Sequence, residues 1–315
     1  MRNNRVIAGM FSSECVRLIE ALRAAGIDKG VALSALLYRD AGTRVSGDIE
    51  LIVSKDQVAA ASQCLRSLGY DPTEVLDEKG LEEWMRENQA RGFLTRGGWP
   101  FVDLHWRIAR SRIAMPGNPE LLLRHRQTVR LAKGAVQTLS LEANLVALCL
   151  HGTRHAWRQL RWVCDVGQIL TDRRLDAGLA VHRADQMGLR RILAVGITQA
   201  QRLLEVDVPG ALADCIDGRA VRIAIQMGED MFTSDTPRWG PLLSVITWFW
   251  LRERWRDRLA SAMCLLRHIL RPNQLDYRVF PLPDRLSFLY YAIRPFRLAD
   301  KHARRIRRGK LPSLE

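Results

Sequence analysis

The sequence predicts an α+β fold, an α/β part of about 135 residues followed by an all-helical part. Three observations point there. Two short apolar runs of strand character, "VSGDIELIV" and "FVDLHWRI" (101–108), both fall in the first third of the chain. From Ser140 the texture changes, and apolar positions recur at helical spacing almost to the end. No later segment reads as a strand of comparable strength.

Taken in order, "FSSECVRLIEALRAA" (11–25) places Val16, Ile19 and Leu22 on one helical face and stops at Gly26. "VALSALLY" (31–38) suits a second helix, and "RDAGTR" (39–44) a turn with Gly42 at positive φ. "VSGDIELIV" is the first convincing strand. "SKDQVAAASQCLRSLG" (54–69) is a helix with Ser54 as N-cap and Gly69 as its stop. "GLEEWMRENQARGFLTRGGWP" (80–100) is polar and turn-rich, and "FVDLHWRI" is the second strand. "SLEANLVALCLHGTRHAWRQLRWVCDVGQIL" (140–170) is one long helical run, and further helical patterns cover 177–205, 211–232, 241–270 and 283–304. The domains expected are 1–135 and 136–315.

Composition narrows the class. The chain has 315 residues, 47% of them hydrophobic, which is ample for packed cores. Six scattered cysteines with no CxxC pair argue against a disulfide framework or zinc site and fit a reducing cytoplasm. The apolar run near the N-terminus is too short for a signal peptide. The longest apolar run, "PLLSVITWFWL" (241–251), has about half the roughly 20 residues that span a bilayer, so no transmembrane segment is expected. The net charge of +14 is uneven: residues 251–315 carry 16 Lys or Arg against 6 Asp or Glu, a net +10. Such a tail attracts a nucleotide, nucleic acid, an acidic lipid or an acidic partner, or serves as a solvated surface.

The chemistry concentrates on the strands. Side chains alternate faces along a strand, so Asp48 and Glu50 point one way and Ile49, Leu51 and Val53 the other. Two carboxylates this close repel unless a cation sits between them. A hard divalent ion such as Mg²⁺ suits oxygen ligands, and Asp103, mid-strand in "FVDLHWRI", offers a third acid. Two ions held this way serve phosphoryl transfer. On an exposed edge the same pattern would only discourage aggregation.

The segments "KGVALSALLYRDAGTRVSGDIELIV" and "FVDLHWRI" resemble the bacterial nucleotidyltransferases of the DNA polymerase β superfamily. The likeness is greatest to a branch with a "KG…gDiDlLv" core and a later "vDlHw" strand, over roughly residues 15–170. The resemblance implies a polymerase-β-like catalytic domain with a small mixed sheet. It implies two Mg²⁺ ions, with Mn²⁺ as a substitute, held by Asp48, Glu50 and Asp103. It places the NTP, ATP among the candidates, against Lys29 and Gly30, with Arg44, Ser46 and Gly47 leading into the acidic strand. It also implies a basic residue and a histidine at Arg154 and His155 beside the triphosphate, and an acid at Asp165. The acceptor, a small molecule, peptide or protein, is left open. Only Ile27 and Asp28 separate Gly26 from Lys29, where the relatives have an apolar strand of four or five residues. That spacing keeps a second reading open: a binding or regulatory protein on the same fold, working through its basic C-terminal region.

Helical spacing puts His151, Arg154, His155 and Arg158 on one face, with Asp165 two turns on, as a phosphate-facing stripe, an acceptor site or an ordinary solvated face. His105 shares the Asp103 strand face and is expected behind the site or in the core. Trp106, Trp157 and Trp162 are expected in the core. For "SVITWFWLRERWRDRLASAMCLL" (244–266) helix-on-helix packing is the favoured reading, with a membrane-surface or partner role as the alternative.

Overall fold

Apolar periodicity closing on a glycine yields the first helix of the computed structural model, α1 (Arg2–Ala24), which starts well before the expected residue 11. The structure describes residues 2–27, 31–32, 48–107, 120–131, 134–215, 218–233, 241–270, 283–291 and 293–297. Gly26 ends α1 at φ 75°, a conformation that needs no Cβ, and the Ile27 N–H then bonds back to the Leu22 carbonyl at 2.9 Å.

Val31–Ala32 form strand β1 rather than the start of a helix. They pair antiparallel with the end of β2 (Asp48–Ile52), Val31 opposite Ile52 and Ala32 opposite Leu51. A short apolar run satisfies either element, and here the open edge of β2 selects the strand. The remainder of that predicted helix and the 39–44 turn with Gly42 lie outside the described residues. A 3₁₀ turn (Lys55–Gln57) leads into α2 (Val58–Ser67). Ser54 stands before that turn, but its hydroxyl donates to Gln57 Oε1 at 2.9 Å instead of capping a backbone N–H. Strand β3 (Tyr70–Pro72) follows the positive-φ Gly69.

The polar 80–100 stretch is more ordered than its composition suggests. Asp77 caps α3 (Glu78–Glu87) by accepting from the Gly80 N–H at 2.7 Å, and β4 (Ala90–Thr95) comes next. Gly92 and the buried Arg91 break the apolar alternation that would have revealed β4. Strand β5 is Phe101–His105. Among the described residues these strands form a five-stranded mixed sheet in the order β1-β2-β5-β4-β3, parallel only between β2 and β5. One face packs Ile49, Leu51, Val102 and Leu104 against Leu18, Leu22 and Leu65 of α1 and α2.

After α4 (Glu120–Leu123), β6 (Arg126–Leu131) and β7 (Gly134–Leu139) make an antiparallel pair just ahead of the helical part, in a stretch to which the sequence assigns no element. Arg126 and Arg130 hide the alternation of β6, and Gln137 and Thr138 side by side blur that of β7. Gly134 lets β7 approach α1: a Cβ there would stand 2.7 Å from Val16 Cγ1.

The helical part follows, and each of its four predicted runs up to residue 270 is divided. Residues 140–170 give α5 (Leu141–Arg154) and α6 (Leu160–Leu170). Residues 177–205 give α7 (Ala177–Met187) and α8 (Arg190–Leu204), parted at Gly188 with φ 63°. Then come α9 (Gly210–Ala213), α10 (Arg219–Thr233), α11 (Pro241–Leu251) and α12 (Trp255–Leu270). Asp284–Leu289 is a 3₁₀ turn, and the described residues after it, 290–291 and 293–297, are α-helical, so the helix expected from 283 starts later than the periodicity suggests. Leu145, Cys149, Trp157, Val163, Leu193 and Ile197 build a second core, joined from the sheet by Ile52. Buried Arg183 of α7 ties this layer to the start of α5, donating to Glu142 Oε2 at 3.1 Å and to Ser140 Oγ at 2.5 Å. Among the described residues no helix is long and apolar enough to cross a membrane.

Candidate active site

The sheet face opposite α1 and α2 carries the acids. In β2 the buried Ile49 and Leu51 alternate with the half-buried Asp48 and Glu50, as strand geometry requires. In β5, Phe101, Asp103 and His105 share a face while Val102 and Leu104 enter the first core. The parallel register sets Asp48 beside Phe101, Glu50 beside Asp103 and Ile52 beside His105. Asp48, Glu50 and Asp103 thus lie on one face of adjacent strands, which run about 4.8 Å apart.

The electrostatics reflect this crowding. Burial pushes the Asp103 carboxyl up, the His105 ring pulls it back down, and the Glu50 and Asp48 charges raise it further. His105 is held below its ordinary range, chiefly by burial and further by Arg154, against the pull of Asp103 and Asp48. Its Nδ1–H donates to the Arg107 carbonyl at 3.3 Å, while Nε2 is buried with no hydrogen-bond partner among the described residues. The imidazole is therefore neutral, with a lone pair unsatisfied behind the acids.

Gly92 of β4 is a site residue that sequence reading missed. It pairs with Asp103 across the ladder, and a Cβ on it would come within 2.7 Å of the Phe101 ring. Its absent side chain makes room for that ring beside Asp103. A lone glycine inside a strand was the available signal, but the surrounding stretch had been read as turn-rich.

The end of α5 supplies positive charge. His105 feels Arg154, and His151 feels His105, so this helix end lies within electrostatic reach of the acid face. His151 and His155 have ring centroids 4.7 Å apart, and both pack on Trp162 at 4.9 and 5.4 Å. Burial first, then neighbouring positive groups, drives the imidazoles down to about 3 for His151 and about 4 for His155. Both rings are neutral at pH 7, and positive charge on this helix end comes from arginine.

The expected four-residue stripe is only partly formed. Helix α5 stops at Arg154 and His155 is its C-cap. Ala156 and Trp157 take φ 50° and 53°. The Trp157 N–H reaches back to the Gly152 carbonyl at 2.8 Å and the Ala156 N–H to the Thr153 carbonyl at 3.1 Å, a Schellman closure. Trp157 folds under the helix so tightly that a Cβ on Gly152 would meet its ring at 2.5 Å. Two successive non-glycine residues in this region cost about 1–3 kcal/mol each, and burial of Trp157 offsets that cost. Arg158 is consequently exposed in the turn, and Asp165 is fully buried on α6, so neither continues the α5 stripe. Trp106, Trp157 and Trp162 are buried as expected, and His105 is buried behind the acids. Lys29, Gly30, Arg44, Ser46 and Gly47 lie outside the described residues.

Three hard oxygen donors on one face and an orphaned imidazole lone pair behind them are donors a divalent cation accepts. Among the described residues, no three His, Cys, Asp or Glu side chains close on a common cation position. The carboxylates share a face and a register without forming a finished cage.

No curated protein and no solved structure matches the chain. A family model described as an uncharacterised nucleotidyltransferase matches residues 1–205, which takes in the mixed sheet, the acid face and the helices through α8. On this match the chain belongs to that nucleotidyltransferase family.

Proposed function

We propose that the protein transfers a nucleoside monophosphate from an NTP to an acceptor hydroxyl or phosphate, in a Mg²⁺-dependent reaction on the β2–β5 face. The supporting observation is the register that sets Glu50 beside Asp103 with Asp48 on the same face. Asp48, Glu50 and Asp103 would hold the metal, two ions in the fullest form, with Mn²⁺ as a substitute. When bound, the metal would offset the negative charge of the phosphates and of the reacting oxygens. A bond forms between the acceptor oxygen and the α-phosphorus, and the bond to the pyrophosphate oxygen breaks. Asp103, beside the acceptor oxygen, would help to take the proton that a hydroxyl acceptor gives up. Arg154, with neutral His155 beside it, would face the triphosphate, as would Lys29, Gly30, Arg44, Ser46 and Gly47. His105 would orient from behind, and His151, Arg158 and Asp165 remain candidates for acceptor contacts or support. Catalysis of this kind is positional and electrostatic.

Thermal unfolding with each NTP, with and without Mg²⁺, tests the reading. Ligand at 100 times its Kd stabilises the fold by about 2.7 kcal/mol. A Mg²⁺-dependent rise that vanishes in Asp48→Asn/Glu50→Gln is expected. No rise with any NTP would refute it.

A second reading, a binding or regulatory module on this fold, draws on two observations. The described carboxylates close no cage, and Ile27, one of the two residues before Lys29, is fixed in the first core. Such a module would hold nucleic acid or an acidic partner through its basic end, weaken steeply with salt and ignore the acids.

A further inference from the structure

Among its described side chains, helix α12 presents its faces in the reverse of the usual order. Trp255, Leu259, Met263 and Leu266 recur three and four residues apart, so they form one stripe. That stripe is exposed: the four side chains are 67%, 54%, 58% and 49% accessible. The opposite side holds Ser261, which is buried, and the half-buried Asp257. A helix packed on a core shows the opposite arrangement. The favoured reading of 244–266 as helix-on-helix packing therefore holds for Leu251 of α11 and fails for the α12 stripe.

Arginines fix this orientation. Arg254 donates to the Asp185 and Gln186 carbonyls at the end of α7, at 2.8 and 3.0 Å. Arg258 donates to the Arg252 carbonyl at 2.8 Å and lies 5.1 Å from the ring centre of Trp250, itself half exposed. Arg256 lies 5.6 Å from the ring centre of Trp255. The N-terminal end of the helix is thus anchored through Arg254 and Arg258, which sets the apolar stripe outermost. Phe288, beyond α12 in the chain, adds another exposed aromatic ring.

We propose that the outward face of α12 docks on the surface of an anionic lipid bilayer. Trp at the margin of an apolar stripe, with Arg beside it, is the side-chain set that lies at the boundary of headgroups and acyl chains. The charge selects this occupant. Residues 251–315 carry +10, which an anionic leaflet complements. A second copy of the chain would bring the same charge against it. A nucleic acid would satisfy the arginines and leave the aliphatic stripe in water. The helix lies on the bilayer and does not cross it.

Flotation of the full chain with vesicles separates these occupants. The vesicles are phosphatidylcholine alone or phosphatidylcholine with phosphatidylglycerol, and the comparison is Leu259→Gln/Met263→Gln, which removes apolar surface without altering charge. The protein is expected to float with the anionic vesicles, weakly or not at all with the neutral ones, and the variant to partition about tenfold less, or lower still. Matching thermal midpoints would show that the variant is folded. Absence of flotation with anionic vesicles at low salt overturns the proposal. Equal flotation of the variant also overturns it, because the basic residues alone would then account for binding. A concentration-dependent dimer in sedimentation, lost in the variant, assigns the stripe to a second copy and overturns it as well.

Discussion

The β2–β5 face and the outward face of α12 invert the ordinary distribution of side chains in opposite senses. The first crowds three half-buried carboxylates side by side on one sheet face. The second turns Trp255, Leu259, Met263 and Leu266 toward solvent. The two cores follow the usual rule, with Leu18, Leu51, Leu104, Leu145 and Leu193 fully buried. A fold keeps a departure of this kind most readily where function uses it. Carboxylates crowded on one face call for a cation, and an apolar stripe in water calls for an apolar surface. The two faces therefore differ in what their substitution should cost: the acid face should cost activity and return stability, while the α12 face should cost neither.

The sharpest break of the comparison is Asp103→Asn. Loss of a group at the reacting centre is expected to lower NTP-dependent transfer by about 10²–10³-fold, read as pyrophosphate release. The same substitution should raise the unfolding midpoint at pH 7. The folded state holds the Asp103 proton more tightly than the unfolded chain, so this group makes the protein less stable as pH rises above the unfolded carboxyl range. Removing the charge removes that penalty. A variant both inactive and less stable would assign Asp103 a structural role instead.

Gly92→Val should cost about 1–3 kcal/mol in chemical denaturation, even though valine favours strands, because its side chain must displace the Phe101 ring. Activity should fall with it, since Phe101 lies beside the acids. A stable, active variant would remove Gly92 from the site.

His155→Gln tests the helix-end cluster through pH. His155 and His151 stay neutral in the fold down to about 4 and about 3, whereas the unfolded chain takes protons from about 6.5 downward. Stability should therefore fall as pH drops through that window and be unaffected above it. The variant should show a shallower loss between about pH 6.5 and 4. An unchanged slope would mean that His155 titrates normally. The smallest effect belongs to Leu259→Gln/Met263→Gln, which should move stability by no more than about 0.5 kcal/mol, because both side chains are already in water. A larger loss would mean that the stripe is packed against the protein.

The acid face was legible in the sequence because its information is local. A period of two fixes that Asp48 and Glu50 share a side, and the isolation of Asp103 in an apolar run marks it. The neighbour relation of β2 and β5, by contrast, is a pairing across roughly fifty residues that only the fold supplies. Strands β4, β6 and β7 are hidden because their alternation is interrupted by Arg91 and Gly92 in β4, by Arg126 and Arg130 in β6, and by adjacent Gln137 and Thr138 in β7. Val31–Ala32 could serve a helix or a strand until the edge of β2 chose. The α5 stripe was overdrawn because helical spacing was carried through Ala156 and Trp157, where the backbone enters the left-handed region and the helix ends. The stripe on α12 was readable as a pattern, but periodicity does not say which side of a helix faces inward. The arginine anchors of Arg254 and Arg258 decide that.

Titration of Mn²⁺ into the protein with an NTP present, followed by electron paramagnetic resonance, tests the central claim most directly. Wild type should bind Mn²⁺ in an NTP-dependent manner, and Glu50→Gln/Asp103→Asn should lose that binding while retaining its fold. Equal binding by the variant, or none by wild type, would contradict a metal-dependent nucleotidyltransferase centre on the β2–β5 face.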